Sequence, residues 1–191
     1  MSPLLTDNFN DIESLLAKTM DYLMVPSVVG HEDLFLSYLA EDFQKLGLET
    51  VQAPRLLAVR GGDPLSAILC AHVDRHGLIS LGEGQYAYAA QRIREQRYGD
   101  VNKASQKELR NIADRFQGEH VYAYDPVTGA RLGEGTIETC TPCEIAGDAQ
   151  FSIQGLYDMP PQTPMAYGRT ARVENNYLKG LFFNDLAAAV I

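Results

Sequence analysis

The chain has 191 residues, of which 46% are hydrophobic and 21% are charged, with 16 Gly, 9 Pro, 3 Cys and no Trp. This composition excludes collagen-like, coiled-coil, disulfide-scaffold and wholly disordered proteins. The 16 basic and 25 acidic residues give a net charge of −9. Because a negative field repels phosphate backbones, we expect no nucleic-acid partner.

Two amphipathic helices are predicted near the N-terminus. Apolar residues recur at helical spacing from Phe9 to Leu23, and Asp7 is placed to cap this helix at its start. A second apolar stripe extends from Leu34 to Leu46, and Gly47 is typical of the residue that ends a helix. We therefore expect two helices with a loop between them.

Strands are expected next along the chain. Residues 48–53 and 55–60 have the composition of short strands. The run Leu65–Ala71 is almost continuously apolar, which is the pattern of a strand buried on both faces of a parallel sheet. Helices and strands in this order predict an α/β layer.

The middle of the chain has segments typical of β-strands. Residues 121–124 and 130–137 flank the turn Asp125–Gly129, so this part predicts an antiparallel hairpin. Helical patterning returns over residues 173–191. The sequence thus predicts an α/β region that is interrupted by a β-rich insert.

The cellular compartment is indicated by the N-terminus and the cysteines. The N-terminus has no basic region followed by a long apolar stretch, so a secretory signal is not expected. No apolar run approaches the ~20 residues of a membrane span. Cys70 stands alone, and an odd number of cysteines fits a reducing compartment. We expect a cytoplasmic protein with no membrane partner.

The strongest local signal for chemistry is His72, which follows the predicted buried strand directly. Open α/β sheets place their ligand sites at the carboxyl ends of the strands. Asp74 lies two residues later and can accept a hydrogen bond from one imidazole nitrogen, so that the other nitrogen faces a metal. The alternative is a partly buried histidine that is hydrogen-bonded at a strand end and binds no ligand.

Four segments resemble the N-terminal part of the co-catalytic di-zinc aminopeptidases of the tetrahedral and glutamyl type. They are Ser27–Glu32, Leu56–Gly61, Ala67–Gly77, whose pattern is Ala-His-x-Asp-x-x-Gly, and Leu178–Ala189. The resemblance implies a cytoplasmic metallopeptidase, a hydrolase that removes N-terminal residues from peptides. Its implied partners are a peptide substrate and further copies of the chain in a homo-oligomer.

The resemblance also implies a fold and a domain organisation. The fold is α/β, an incomplete three-layer domain of the zinc-exopeptidase type with an inserted β-rich, barrel-like domain. The catalytic domain would comprise residues 1–80 and 173–191. The insert would comprise residues 81–172 and would serve oligomerisation and access to the site.

The ligand set follows from the same resemblance. His72 and Asp185 would bind two divalent metal ions, with zinc expected and cobalt or manganese as alternatives. Asp185 would bridge the two ions, and Asp74 is the predicted catalytic residue that orients His72. A water molecule activated by both metals would then attack the peptide carbonyl.

The sequence departs from this family in two respects. The order Asn184-Asp185-Leu186 lacks the arginine that usually follows the bridging aspartate, and the family's general-base glutamate and later ligands lie beyond Asp185. We therefore expect no peptide hydrolysis by this chain alone. A carboxypeptidase or deacylase of the same clan, and a non-catalytic relative acting as an assembly or peptide-binding module, remain alternatives.

Further candidate residues carry weaker signals. Cys140 and Cys143 form a Cys-x-x-Cys pair that fits a redox pair, half of a zinc site or a structural role. His76 either lines a substrate pocket or faces solvent. His31 and Glu32 precede the second helix, where Glu32 is expected to cap the helix rather than to bind a ligand.

Overall fold

We describe the protein from a computed structural model. The described residues are 12–61, 69–90, 92, 107, 110–111, 116–143, 148–167 and 188–190. They form an N-terminal region of two helices and a β-hairpin, a separate two-stranded sheet, and a closed β-barrel.

Both predicted helices are confirmed. Helix α1 comprises Ile12–Met24 and helix α2 comprises Asp33–Lys45. Gly47 follows α2 with a φ of 77°, the left-handed conformation that ends many helices and that glycine adopts without strain. The proposed cap, Asp7, lies outside the described residues.

An ion pair and aromatic contacts hold the two helices together. The ammonium group of Lys18 on α1 pairs with the carboxylate of Asp42 on α2 and lies 4.9 Å from the ring centroid of Tyr22. Tyr22 meets Phe35 edge to face, with ring centroids 6.2 Å apart. These contacts fix the mutual orientation of α1 and α2.

Two two-stranded sheets lie outside the barrel. Strands β1 (Glu49–Ala53) and β2 (Leu56–Arg60) form an antiparallel hairpin, as their pattern predicts for strands. The hairpin is joined to α2 by a hydrogen bond of 2.7 Å from Gln44 Nε2 to Thr50 Oγ1. Strand β3 (Leu69–Ala71) pairs antiparallel with β10 (Ala188–Val190).

The six remaining strands close into an antiparallel barrel in the order β4-β5-β8-β7-β6-β9. They are β4 (Leu78–Gly82), β5 (Gln85–Tyr88), β6 (His120–Tyr124), β7 (Arg131–Cys143), β8 (Asp148–Gln154) and β9 (Pro164–Tyr167). The predicted hairpin is confirmed as β6–β7. Its turn is held by Asp125, whose Oδ1 accepts hydrogen bonds from the amides of Val127 at 2.9 Å and Thr128 at 2.7 Å.

The predicted fold class, an α/β three-layer domain of the zinc-exopeptidase type, is wrong. The described part of the chain is mostly β, and all its strand pairs are antiparallel. The apolar run ending at Ala71 indicated a buried parallel strand, but Cys70 and Ala71 are exposed and β3 has an antiparallel partner. The helical pattern of residues 173–191 predicts a helix, but residues 188–190 of that segment form strand β10.

Strand alternation divides the buried barrel residues into two clusters. The interior cluster includes Leu78, Tyr86, Phe116, Val121, Ala123, Ile137, Phe151, Ile153, Leu156 and Met165. The outer cluster lies on the opposite face of β4, β5, β6 and β9 and includes Ile79, Ala87, Tyr122, Tyr124 and Ala166. Val28, from the loop between α1 and α2, packs into this outer cluster and is 1% exposed. The barrel is therefore attached to the N-terminal region through an apolar contact.

Gly77 lies where the chain enters the barrel. A Cβ atom at this position would be 2.6 Å from the carbonyl oxygen of Met165 and 2.6 Å from Cγ2 of Val28. The amide of Ala89 donates to the carbonyl of Gly77 at 3.0 Å, so the backbone has little room to shift. Only glycine fits between the barrel and the Val28 side chain without displacing one of them.

We predict that Gly77→Ala lowers the free energy of unfolding by about 2 kcal/mol, within the usual cost of overpacking. Gly61→Ala is the matched control, because a Cβ there meets no atom within 4 Å. Thermal unfolding followed by circular dichroism measures both variants. Equal melting temperatures for Gly77→Ala and Gly61→Ala would show that the passage at Gly77 is not tight.

Candidate functional site

The candidate site is built on His72–His76, which we call the strand-end segment because it follows β3. The amide of Arg75 donates to the carbonyl of Ser27 at 2.7 Å, and the amide of Val29 donates to the carbonyl of Arg75 at 3.1 Å. These two bonds form an isolated parallel bridge between Val28 and Arg75. Ser27 Oγ also donates to the carbonyl of Val73 at 2.6 Å. The segment is thus held against the loop between α1 and α2.

Arg75 extends this attachment to the end of helix α1. Its guanidinium donates to the carbonyls of Tyr22 at 2.8 Å, Leu23 at 3.2 Å and Val25 at 3.0 Å. It also lies over the ring of Phe35, 4.7 Å from the centroid. A cation at a helix C-terminus satisfies carbonyls that have no partner within the helix and interacts favourably with the helix dipole. Sequence reasoning missed this residue, because its acceptors lie about fifty positions away in the chain.

His72 and Asp74 meet as predicted from their spacing. Nδ1 of His72 lies 3.3 Å from Oδ1 of Asp74. The side chains are 37% and 46% exposed, so the pair is at the surface. Because an ionised carboxylate only accepts hydrogen bonds, this contact favours the tautomer in which Nδ1 carries the proton. The assignment of His72 as a metal ligand stays a prediction.

Asp185, the second predicted metal ligand, lies outside the described residues. The described residue that follows it most closely is Ala188, which pairs with Ala71 in the β3–β10 sheet.

A group of three or more metal-ligating side chains does not occur among the described residues. His72 is the member of the predicted ligand set that these residues contain, with Asp74 beside it. A stable zinc site takes three or four ligands. Within the described residues, His72 would therefore supply one of the ligands that such a site needs.

His76 is half-buried against the end of the barrel. Its Nδ1 hydrogen-bonds with the hydroxyl of Tyr88, the last residue of β5, and the two rings stack with centroids 5.8 Å apart. The side chain is thus not the solvent-facing alternative, and its role in lining a substrate pocket stays a prediction. The strand-end segment is consequently attached to the barrel as well as to the helices.

The loop between the helices contains buried polar groups. The carboxylate of Glu32, a residue that is 6% exposed, accepts from the amide of Gly30 at 2.5 Å and makes no cap bond to α2. Its Oε2 and the Nε2 of His31 are buried and have no hydrogen-bond partner among the described residues. Burial lowers the pKa of His31. Burial also raises the pKa of Tyr124, whose hydroxyl accepts from the amide of Val28 at 3.2 Å.

Cys140 and Cys143 lie on strand β7, where both residues are paired with β8. The backbone of both residues is therefore part of the β7–β8 ladder, and the redox, zinc and structural roles of the pair stay predictions.

Comparisons with protein-family models, with curated proteins and with solved structures find no match for this chain. A search of the described residues reveals no helix that is long and apolar enough to cross a membrane.

We predict that His31→Asn reduces the loss of stability in mild acid. The folded-state pKa of His31 is lowered by burial from its ordinary value of 6.5, so protons bind the unfolded state more tightly. The contribution of neutral, buried His31 to the free energy of unfolding is therefore complete above about pH 6.5 and decreases as the pH falls below that value. Denaturant unfolding between about pH 5 and 8 measures this slope.

If His31→Asn keeps the slope of the unchanged protein, burial of His31 does not contribute to the pH dependence.

Proposed function

We propose that this chain binds a divalent metal ion, zinc first, through His72. The bound ion would serve a metal-dependent aminopeptidase reaction, in which N-terminal residues are hydrolysed from peptides. The observation that carries the proposal is the contact of 3.3 Å between Nδ1 of His72 and Oδ1 of Asp74. Metal-ligating histidines usually donate their second ring nitrogen to a carboxylate or carbonyl in this way.

The geometry of the pair supports a ligand role for His72. The proton on Nδ1 leaves Nε2 as the nitrogen with a lone pair, which is the form of imidazole that binds metals. The side chain is 37% exposed, so an ion can approach it from solvent. The carboxylate of Asp74 fixes the orientation of the ring.

The surroundings of the pair also support a built site. The strand-end segment is attached on one side to Ser27, Val29 and the end of α1, and on the other side to Tyr88. A ligand that is held in place loses less conformational entropy when the metal binds.

The peptidase part of the proposal rests on the resemblance of the quoted segments to the di-zinc aminopeptidases. On that basis, Asp185 would bridge a second divalent ion, with cobalt or manganese as alternatives to zinc. A bound divalent ion supplies Lewis acidity and a water molecule of lowered pKa. The contribution of His72 is to hold the ion, and that of Asp74 is to keep the imidazole in its ligating form.

Compartment and assembly belong to the same proposal. The odd number of cysteines supports a cytoplasmic protein, and the resemblance supports a homo-oligomer. A peptide with a free amino terminus is the proposed substrate.

We predict that His72→Ala weakens zinc binding by more than tenfold, because the ligand is lost. Asp74→Asn is expected to weaken it about tenfold, the lower end of the usual cost of losing a carboxylate beside a ligating histidine. Isothermal titration calorimetry with zinc alone measures both variants. A second titration compares a tripeptide with its N-acetylated form on the zinc-loaded protein, and we expect the free amino terminus to bind more tightly.

His120→Ala is the matched control, since His120 is equally exposed and also lies near a carboxylate, with Nε2 3.7 Å from Oε2 of Glu134. We expect its zinc affinity to equal that of the unchanged protein. Unchanged affinity in His72→Ala would refute the ligand assignment. Equal affinity for the free and the acetylated peptide would refute the aminopeptidase assignment and favour a general peptide-binding role.

A further inference from the structure

We infer that Tyr88 is a positioning residue for the His72–Asp74 pair: the barrel, acting through the Tyr88 hydroxyl, holds the strand-end segment in the conformation that brings Asp74 to His72. The inference deepens the proposed function, because it names a residue outside the pair on which the orientation of the metal ligand depends. It concerns the metal-free protein as well, so the two ideas can fail separately.

Tyr88 is fixed to the barrel. It is the last residue of β5 and packs, half-buried, against the interior cluster. Its ring lies 5.8 Å from that of Phe116, which in turn stacks on Tyr167 with centroids 5.0 Å apart and planes 6° from parallel. Phe116 is 2% exposed. The hydroxyl of Tyr88 therefore has a defined place at one end of the barrel.

The hydroxyl of Tyr88 reaches the strand-end segment. It hydrogen-bonds with Nδ1 of His76, and the His76 ring continues the stack with planes 23° from parallel to Tyr88. His76 is two residues after Asp74 and four after His72. The barrel thus contacts the segment directly through this hydrogen bond, and indirectly through Val28, which is bridged to Arg75.

The bond at His76 completes a set of attachments around Asp74. The carbonyl of Val73 accepts from Ser27 Oγ at 2.6 Å. The backbone of Arg75 bonds to Ser27 and Val29. Since Asp74 lies between these attached residues, its backbone is held on both sides. The contact with His72 is long, at 3.3 Å, so a small shift of the segment breaks it.

The hydroxyl of Tyr88 bonds to the strand-end segment, whereas the hydroxyl of a tyrosine with a purely structural role would bond within the barrel. Tyr86, two residues earlier on the same strand, is fully buried and donates to the carbonyl of Leu156 at 3.0 Å. Its hydroxyl stabilises the barrel interior and has no contact with the strand-end segment. The two tyrosines therefore provide a matched pair of single-atom deletions, one that touches the segment and one that does not.

The experiment measures the tautomer of His72 by long-range ¹H–¹⁵N NMR on the full, metal-free chain. It is carried out at about pH 8, where an ordinary imidazole is neutral. In the unchanged protein we expect the Nδ1–H form to predominate, because Nδ1 donates to Asp74. In Tyr88→Phe the ratio of Nδ1–H to Nε2–H should fall at least threefold. In Tyr86→Phe the melting temperature should fall while the tautomer ratio stays unchanged.

A second variant protects the test against misfolding. His76→Phe keeps an aromatic ring at this position and removes the His76 nitrogen that bonds to the Tyr88 hydroxyl, so it should reproduce the tautomer shift of Tyr88→Phe. An unchanged ratio in either folded variant would overturn the inference. So would a shift of equal size in Tyr86→Phe, because the effect would then report loss of barrel stability.

Zinc titration of the same proteins separates this inference from the proposed function. If zinc binds through His72, Tyr88→Phe should weaken it several-fold, in step with the tautomer ratio. If zinc does not bind the unchanged protein but the tautomer shifts, the positioning role stands and the proposed function fails. If zinc binds through His72 and the tautomer of Tyr88→Phe does not shift, the proposed function stands and the positioning role fails.

Discussion

The parallel bridge between Val28 and Arg75 is the contact on which the arrangement of this molecule depends. Its two backbone bonds, of 2.7 Å and 3.1 Å, join parts of the chain that lie more than forty residues apart. Val28 itself is inserted into the outer cluster of the barrel, and Arg75 reaches the end of α1. Helices, barrel and strand-end segment are therefore attached to one another at one place, and His72 and Asp74 lie beside it.

Burial at this place has an electrostatic cost, which hydrogen bonds offset for Arg75 and only in part for Glu32. The guanidinium of Arg75 is satisfied by carbonyls of residues 22–25 and by the face of Phe35. Glu32 is almost completely buried and takes one amide hydrogen bond from Gly30. Groups of this kind destabilise the fold when they lose a partner, so they specify one arrangement of the loop between the helices.

The sequence predicts those features that depend on neighbouring residues. Helix α2 with Gly47 and the β6–β7 hairpin with Asp125 follow from local periodicity and turn chemistry. The fold class could not be predicted in this way, because a short apolar run such as the one before His72 has the same pattern in parallel and antiparallel sheets. The proximity of His72 and Asp74 follows from their spacing. The attachments of Arg75 and Tyr88 depend on distant partners, which no local pattern indicates.

Native-state hydrogen exchange of the Arg75 and Val29 amides tests the central claim most directly, because both hydrogens are in the bridge. The barrel amide of Ser80, which donates to Thr163 at 2.9 Å, is the internal reference. If the bridge holds the strand-end segment to both regions, all three amides exchange with similar opening free energies. Rapid exchange at Arg75 and Val29, with Ser80 still protected, would show that the segment opens on its own and would contradict the account.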